Sequence, residues 1–441
     1  MERGEDPCNI RLIDLNEPTN HAVKDALPKG VQFVRVDITD AAAVEAAFEA
    51  PWPKSTTESS TMCSQIEPAI TVFHTAANIR FFERHPEFYE RSTRVIVGGT
   101  QNVINAARKV GVDVMVYTSS GSVCLHNLRL FFWPWEKEAA KLVQIVNDDD
   151  TRLPKRHEDF FSNYAASKLQ GETLVRSSDG LPTGDTSHKV LRTGCLRPGN
   201  AIFGPRGDMN CGAFLVRKSN LTWASSVVQS FTYVENCVAA HLCYEARLIE
   251  LQAGSSNPDI GGQAFVIADP GPPPTYGDMY TIMETLTDGE CSFPHVSPTF
   301  MMILAHLLEW YYRTQQSLVR KGSKFAFLMP ALKGDIINLQ PSIFPLVLVR
   351  LIFDDTKARL PPEKGGLGYK GTWTSTEGLY RTIEEHKSGV GSSIRRSDKA
   401  GFSLFSLQGR KATVKGTKTS LTGGLADSMP MVTPSEVSNL Q

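Results

Sequence analysis

The sequence predicts an α/β fold, a doubly wound parallel sheet followed by a smaller C-terminal domain. Two observations predict it. Short β-rich runs alternate with helix-like runs over residues 1–200, the order that builds a parallel sheet covered by helices. Beyond about residue 200 the alternation stops, and the composition shifts again at about 387.

The elements follow in order. Ile10–Asp14 reads as a strand and Gln32–Asp37 as the next; Ile70–His74, Val114–Thr118 and a region spanning Val190–Arg197 complete the strand set. Helical stretches lie between them at Ala41–Ala50, Phe88–Lys109 and Tyr164–Arg176. Lys54–Glu67 is rich in Ser and Thr without periodicity and reads as an inserted surface loop. The expected organisation is 1–200 as a ligand-binding sheet domain, 201–386 as a second domain with interleaved elements, and 387–441 as a disordered basic tail.

The chain has 441 residues, 46 Lys+Arg against 47 Asp+Glu, and 41% apolar residues. Such a chain can bury a sizeable core, and its charge balance gives no whole-chain attraction for nucleic acid. Eight cysteines are scattered without a C-x-x-C pair, which argues against a zinc ribbon, a redox dithiol or a disulfide scaffold. No metal site is expected. Met1–Pro7 is charged and carries no apolar run, so no signal peptide is expected there. No stretch reaches the roughly 18 apolar residues of a bilayer-spanning helix.

Chemistry concentrates at Tyr164-Ala165-Ala166-Ser167-Lys168. Positions i and i+4 share a helix face, so Lys168 can sit beside Tyr164, where an ammonium lowers the phenol's pKa. Tyr164 could then take a proton from an alcohol or return one to a carbonyl. The bland alternative is an exposed helix pair. Context favours chemistry: Ser119-Ser120-Gly121-Ser122-Val123 follows the strand at 114–118, and Arg197-Pro198-Gly199 leads to Phe203-Gly204-Pro205. Asp14 and Asp37 end the first two strands, where carboxylates can meet ribose hydroxyls, and Thr75-Ala76-Ala77 offers small side chains after the third. His241 reads as a structurally satisfied histidine and Cys124 as a small buried residue.

Ser119-Ser120, Tyr164 through Lys168 and Glu172 resemble the active-site signature of extended short-chain dehydrogenases/reductases, which implies a Rossmann-type fold. Arg197-Pro198 with Phe203-Gly204-Pro205, and Phe231–Asn236 with Ala239-Ala240-His241, resemble its 3β-hydroxysteroid dehydrogenase branch, which includes the sterol-4α-carboxylate 3-dehydrogenases. Gly99–Val103, Leu367-Gly368-Tyr369 and Glu377-Gly378-Leu379 extend the likeness over about residues 1–386. The resemblance implies Tyr164 as acid/base, Lys168 as its activator and a contact to the nicotinamide ribose, and Ser120 as the group holding the substrate oxygen. It implies cofactor contacts at Asp14, Asp37, Thr75, Ala76, Ala77, Lys168 and Pro198, with NAD favoured over NADP because Asp14 repels a 2′-phosphate. The implied reaction is oxidation of a 3β-hydroxyl on a sterol or triterpenoid-like substrate; decarboxylation or isomerisation can follow.

The sequence departs from that family in one large respect. Its first strand already carries the ribose carboxylate, so the family's opening strand and G-x-x-G-x-x-G turn, roughly 25–30 residues, are not seen. Ile96 stands where the family often has Asn. Two rivals stay open: a reductase or epimerase on another substrate, and a non-catalytic relative that binds a lipid or a protein. Phe300–Tyr312 and Ile343–Phe353 are broadly apolar. They read either as core or as surfaces flanking a greasy substrate's access, with His306, Glu309 and Arg313 as one polar stripe. Expected partners are a hydrophobic small molecule, a peripheral membrane contact on the cytoplasmic side of the endoplasmic reticulum, and a second copy of the chain as a homodimer.

Overall fold

The computed structural model describes residues 4–18, 21–53, 69–127, 143–184, 189–205 and 208–389. The expected loop at 54–67 and nearly all of the expected basic tail lie outside them.

Strands form where β-branched and aromatic runs were read. β1 (Arg11–Asp14) pairs in parallel with β2 (Gln32–Arg35), Arg11 opposite Gln32. β3 (Thr71–His74) and β4 (Val114–Thr118) open a second parallel sheet. β5 (Val143–Val146) lies apart from it, and β6 (Arg192–Pro198) continues it beside β4. β7 (Ile202–Phe203) and β8 (Thr232–Tyr233) form a short parallel ladder. β9 (Ala264–Ile267) closes the second sheet, whose order is β3-β4-β6-β9, and β10 (Arg350–Phe353) pairs with β5. The described ladders between these strands are all parallel, as the alternation predicts. One difference stands out: β1-β2 and β3-β4-β6-β9 are separate sheets with no ladder between them among the described residues.

Five helices position the site. α1 (Ala41–Glu49) starts where the Asp40 carboxylate accepts the Ala43 N–H at 3.1 Å. α2 (Gly99–Lys109) continues a short helix and a π-helical turn at Arg94–Gly98, which holds the buried Ile96. α1 and α2 run side by side in the same direction. Asn102 donates to the Ile38 carbonyl at their starts, and Lys109 pairs with Glu45 and Glu49 at their ends. Together they cover one face through Val36, Val44, Ala47, Val103, Ile104, Ala107 and Met115. α3 (Asn163–Ser177) lies on that same face of the larger sheet, with Val175 joining the same core. α4 (Val234–Gln252) covers the other, packing Ala240, Tyr244 and Leu248 against Val114, Val116 and Leu196. α5 (Pro298–Arg320) reaches back to residues 80–91.

The two apolar stretches behave differently. Ile343–Phe353 belongs to the core: Phe344, Val349, Leu351 and Phe353 are buried, and the buried Gln229 amide donates to the Leu346 and Val349 carbonyls. The expectation of a surface there is corrected; its backbone groups are needed to satisfy Gln229 and the β10 ladder. α5 has two apolar faces. Met301, Ala305 and Tyr312 point inward, while Phe300, Ile303, Leu307 and Trp310, at 3-4-3 spacing, are 58–66% exposed. Glu309 and Arg313 of the expected polar stripe bind Arg84 and Glu87, fixing which apolar face turns out.

The sheet–α4 contact is tight enough to test. A Cβ on Gly194 of β6 would come within 2.1 Å of the Tyr244 ring. That ring is pinned by hydroxyl bonds to the Ile260 and Gln263 carbonyls. Gly194→Ala should therefore cost about 3 kcal/mol in urea unfolding, the upper range of overpacking; an unchanged midpoint would contradict this packing.

Candidate active site

α3 begins at Ser162, whose hydroxyl accepts the Ala165 N–H, and the Asn163 N–H donates to the Glu83 carbonyl at 2.8 Å. This start places Tyr164 in the first turn. Tyr164, Lys168, Glu172 and Arg176 then follow at four-residue intervals, one stripe along the helix.

The stripe is fixed from below. Glu172 is fully buried, accepts from the Ser119 hydroxyl at 2.6 Å, and receives the Arg197 guanidinium at 3.0 and 2.5 Å. Arg197 also reaches Asp150 at 2.8 Å, and Arg176 bridges Asp150 and Glu172. This cluster was not assigned from the sequence. Its signal was the i+4 continuation of the Tyr/Lys stripe, but a partner from β6, distant in sequence, completes it.

The cluster separates the two serines. Ser119 is consumed by Glu172, whereas Ser120 lies 2.8 Å from the Ser122 hydroxyl and close enough to the Tyr164 phenol to lower its pKa. Gly121 lets this segment approach β10 and β6: a Cβ there would meet the Phe353 ring and the Pro198 carbonyl. Ser120, Tyr164 and Lys168 thus gather at the carboxyl end of β4, with the buried Pro198 at the end of β6. The Lys168 ammonium donates to the Thr118 carbonyl at 2.7 Å and lies over the Tyr117 ring.

The electrostatics correct one expectation. Burial pushes the Tyr164 phenol up to about 12, with the Ser120 bond pulling it partly back. Burial pushes Lys168 down to about 7, opposed by the nearby Cys195 and Glu172. In this arrangement desolvation outweighs the activating charge, because the ammonium is directed at Thr118. His74, buried against Thr100 and Tyr117, is held neutral, down to about 3, by burial and by Lys168.

The remaining expected residues are placed as follows. Asp14 is the last residue of β1, exposed, accepting the Asn16 N–H. Asp37 lies two residues past β2 rather than at its end; its carboxylate accepts the Thr39 N–H, which lowers its pKa. Thr75, Ala76 and Ala77 follow β3 with partly open surroundings. His241 is satisfied, as expected: its ring bonds the Thr118 hydroxyl and the Cys237 carbonyl. Cys124 is half-buried rather than fully buried, and burial pushes its thiol up to about 12. No metal-ligating group of His, Cys, Asp or Glu occurs among the described residues. A separate cavity of about 320 Å³ is lined by Ser230, Asp269, Phe353 and Arg359 but by none of the expected site residues.

Lys168, Ser120 and Pro198 are the residues that could hold one end of a dinucleotide, and the carboxylates of Asp14 and Asp37 could meet the ribose hydroxyls of its other end. Among the described residues no ladder joins β1 to β3.

Residues 55–290 match the 3-beta hydroxysteroid dehydrogenase/isomerase family. The chain is 29% identical to 3beta-hydroxysteroid-dehydrogenase/decarboxylase isoform 2 of Arabidopsis thaliana, over 85% of this chain and 57% of that protein. It is 31% identical to a decarboxylating sterol-4-alpha-carboxylate 3-dehydrogenase of Schizosaccharomyces pombe, over 45% of this chain and 49% of that protein. The chain spans less than two thirds of the length of the plant relatives, 57% and 62%. Among solved structures, a UDP-glucose 4-epimerase of Thermotoga maritima matches with a TM-score of 0.52 at 18% identity, covering 88% of this chain and 93% of that one. At that identity the likeness concerns the fold.

The Lys168 shift gives a signed test. Below about pH 7 the ammonium is charged in both folded and unfolded states, and its burial opposes folding in full. Between about 7 and 10.5 the folded state sheds the proton while the unfolded state keeps it, so stability rises with pH, by up to about 1.4 kcal/mol per unit. Lys168→Met should be more stable than the parent at about pH 6 and lose that advantage by about pH 10 in urea unfolding. Parallel pH profiles for the two proteins would refute the assignment.

Proposed function

The chain belongs to the 3-beta hydroxysteroid dehydrogenase/isomerase family, and we propose that it oxidises a 3β-hydroxyl on a sterol or triterpenoid-like substrate with NAD as acceptor. The observation that carries this reading is the gathering of Ser120 and the buried Tyr164 phenol, one helical turn from Lys168, at the carboxyl end of a parallel strand.

Ser120 holds the substrate oxygen, and Tyr164 receives its proton. For that the phenol must be lowered from about 12. Turning the Lys168 ammonium from the Thr118 carbonyl towards the phenol does so. The chemistry NAD supplies when bound is acceptance of the hydride leaving C3. Asp14 favours NAD by repelling a 2′-phosphate. Where the substrate carries a C4 carboxyl the product is a β-keto acid, which loses carbon dioxide with little help. The relatives named as decarboxylating support this branch.

Incubation with NAD and either a 4α-carboxysterol or a UDP-hexose tests the reading. Reduced cofactor and carbon dioxide should appear with the sterol acid alone. Turnover of the UDP-hexose without the sterol would overturn the proposal. Tyr164→Phe should lower sterol oxidation by about 10²- to 10⁴-fold while leaving the unfolding midpoint near the parent's.

A membrane contact suits such a substrate. No described helix is long and apolar enough to cross a membrane. Phe300, Ile303, Leu307 and Trp310 nevertheless form an outward apolar face, and Phe325, Phe327 and Leu328 are 63–78% exposed just beyond Lys321 and Lys324. We place this face on the cytoplasmic surface of the endoplasmic reticulum, with the lysines meeting anionic headgroups. Each large apolar side chain buried in lipid contributes about 1.5–3 kcal/mol. Leu307→Glu with Trp310→Glu should thus reduce flotation with anionic vesicles by tenfold or more, about 1.4 kcal/mol or greater. Undiminished flotation of the double variant would remove α5 from the contact.

A further inference from the structure

We propose that Tyr312, Glu83 and Asn163 form a chain of positioning residues that sets the place of the Tyr164 phenol from outside the site, given the reading of Tyr164 as the acid/base.

The length of α3 creates the need for such a chain. The Glu172–Arg197 pair pins the helix eight residues below Tyr164, about 12 Å at 1.5 Å per residue. A tilt of about 5° about that pin moves the Tyr164 end by about 1 Å. A misplacement of that size can cost about 10²-fold in rate. The near end therefore needs a hold of its own.

Asn163 supplies it, one residue before Tyr164. It is fully buried, and three of its groups bond residues outside the helix. Its backbone N–H donates to the Glu83 carbonyl at 2.8 Å, and its side-chain NH₂ donates to the His85 carbonyl at 2.9 Å. Its side-chain oxygen lies 2.8 Å from His157 Nε2. Because the His85 carbonyl can only accept, the amide has one orientation and His157 is the donor. A single N–H fixes one point of the first turn; three bonds to separate residues also fix its tilt.

Asn163 holds α3 only as firmly as residues 83–85 are held, and these belong to no helix or strand. Side chains must therefore fix them. The Glu83 carboxylate is shut away from water. It accepts from two nitrogens of Arg80 at 2.9 and 2.7 Å, from Arg91 at 3.0 Å, and from the Tyr312 hydroxyl at 2.6 Å. Tyr312 arrives from α5, and its ring sits edge-on to Phe82 and Phe88, at 5.9 and 5.5 Å. A hydroxyl on α5 thus fixes the segment that fixes the first turn of α3.

A buried polar group left unpaired lowers stability wherever it sits. One that carries the phenol also lowers kcat without changing KM. Tyr312→Phe removes the hydroxyl and keeps the ring against Phe82 and Phe88. Asn163→Asp keeps the shape and the acceptor for His157 but loses the donor to the His85 carbonyl. The full chain is assayed with saturating NAD and a 4α-carboxysterol, at a temperature where urea titration shows each variant folded. Each variant should lower kcat about tenfold or more and leave the sterol's KM within about twofold of the parent's. The double variant should lose little beyond the more impaired single, because both act through one chain. The ring-labelled Tyr164 signal in NMR, identified by its loss in Tyr164→Phe, should move in both singles. Where Asn163→Asp does not fold, Tyr312→Phe carries the same readings. A kcat within about twofold of the parent's beside a lowered unfolding midpoint assigns a stabilising role alone and overturns the proposal. Losses that multiply in the double variant overturn it too. A parent that does not turn over the sterol acid removes the sterol reading instead. The Tyr164 signal then decides the positioning, supported where it moves and overturned where it stays.

Discussion

The buried Glu172–Arg197 pair is the interaction on which the site depends. Its two side chains come from α3 and β6, and both are shut away from water. Ser119 at the end of β4 adds a third attachment, and Asp150 and Arg176 compensate the remaining charge. Removing one partner of such a pair typically costs about 3–5 kcal/mol, since the other charge is left buried alone. The helix is therefore held in one register and rotation over the strand ends. Tyr164 and Lys168 inherit their positions from that register, two turns and one turn above Glu172.

The same constraint explains why Tyr164 and Lys168 both favour their neutral forms. A helix pinned at Glu172 brings Lys168 into the space above β4, where burial favours the neutral amine and the Thr118 carbonyl captures its hydrogen. Tyr164 lies in a desolvated place that favours the neutral phenol. Both groups are displaced from their ordinary pKa values in the directions that disfavour charge, so a modest change around the ammonium has large leverage on the phenol.

The periphery follows a different logic. α5 is clamped by Glu309 to Arg84 and by the Tyr312 hydroxyl to the buried Glu83, whose own carbonyl accepts the first N–H of α3. An exposed apolar face is thereby mounted on the segment that starts the Tyr164 helix. A short, rigid connection thus joins the surface where a greasy substrate would arrive to the residue proposed to act on it.

The sequence by itself determined the parallel α/β class, the strand and helix order to within a few residues, and the i, i+4 placement of Tyr164 and Lys168. These are local properties: β-branched runs, capping residues and helical periodicity act over a few neighbours. Tertiary structure alone decided the rest. It gave Ser119 to Glu172 and left Ser120 for Tyr164, buried Ile343–Phe353 while exposing one face of Phe300–Tyr312, and reversed the expected lowering of the Tyr164 pKa. Each of these depends on partners far apart in sequence, such as Arg197, Gln229, Arg84 and the Thr118 carbonyl. Hydrogen-bond satisfaction and desolvation are set by what surrounds a group in space, and a linear pattern does not carry that information.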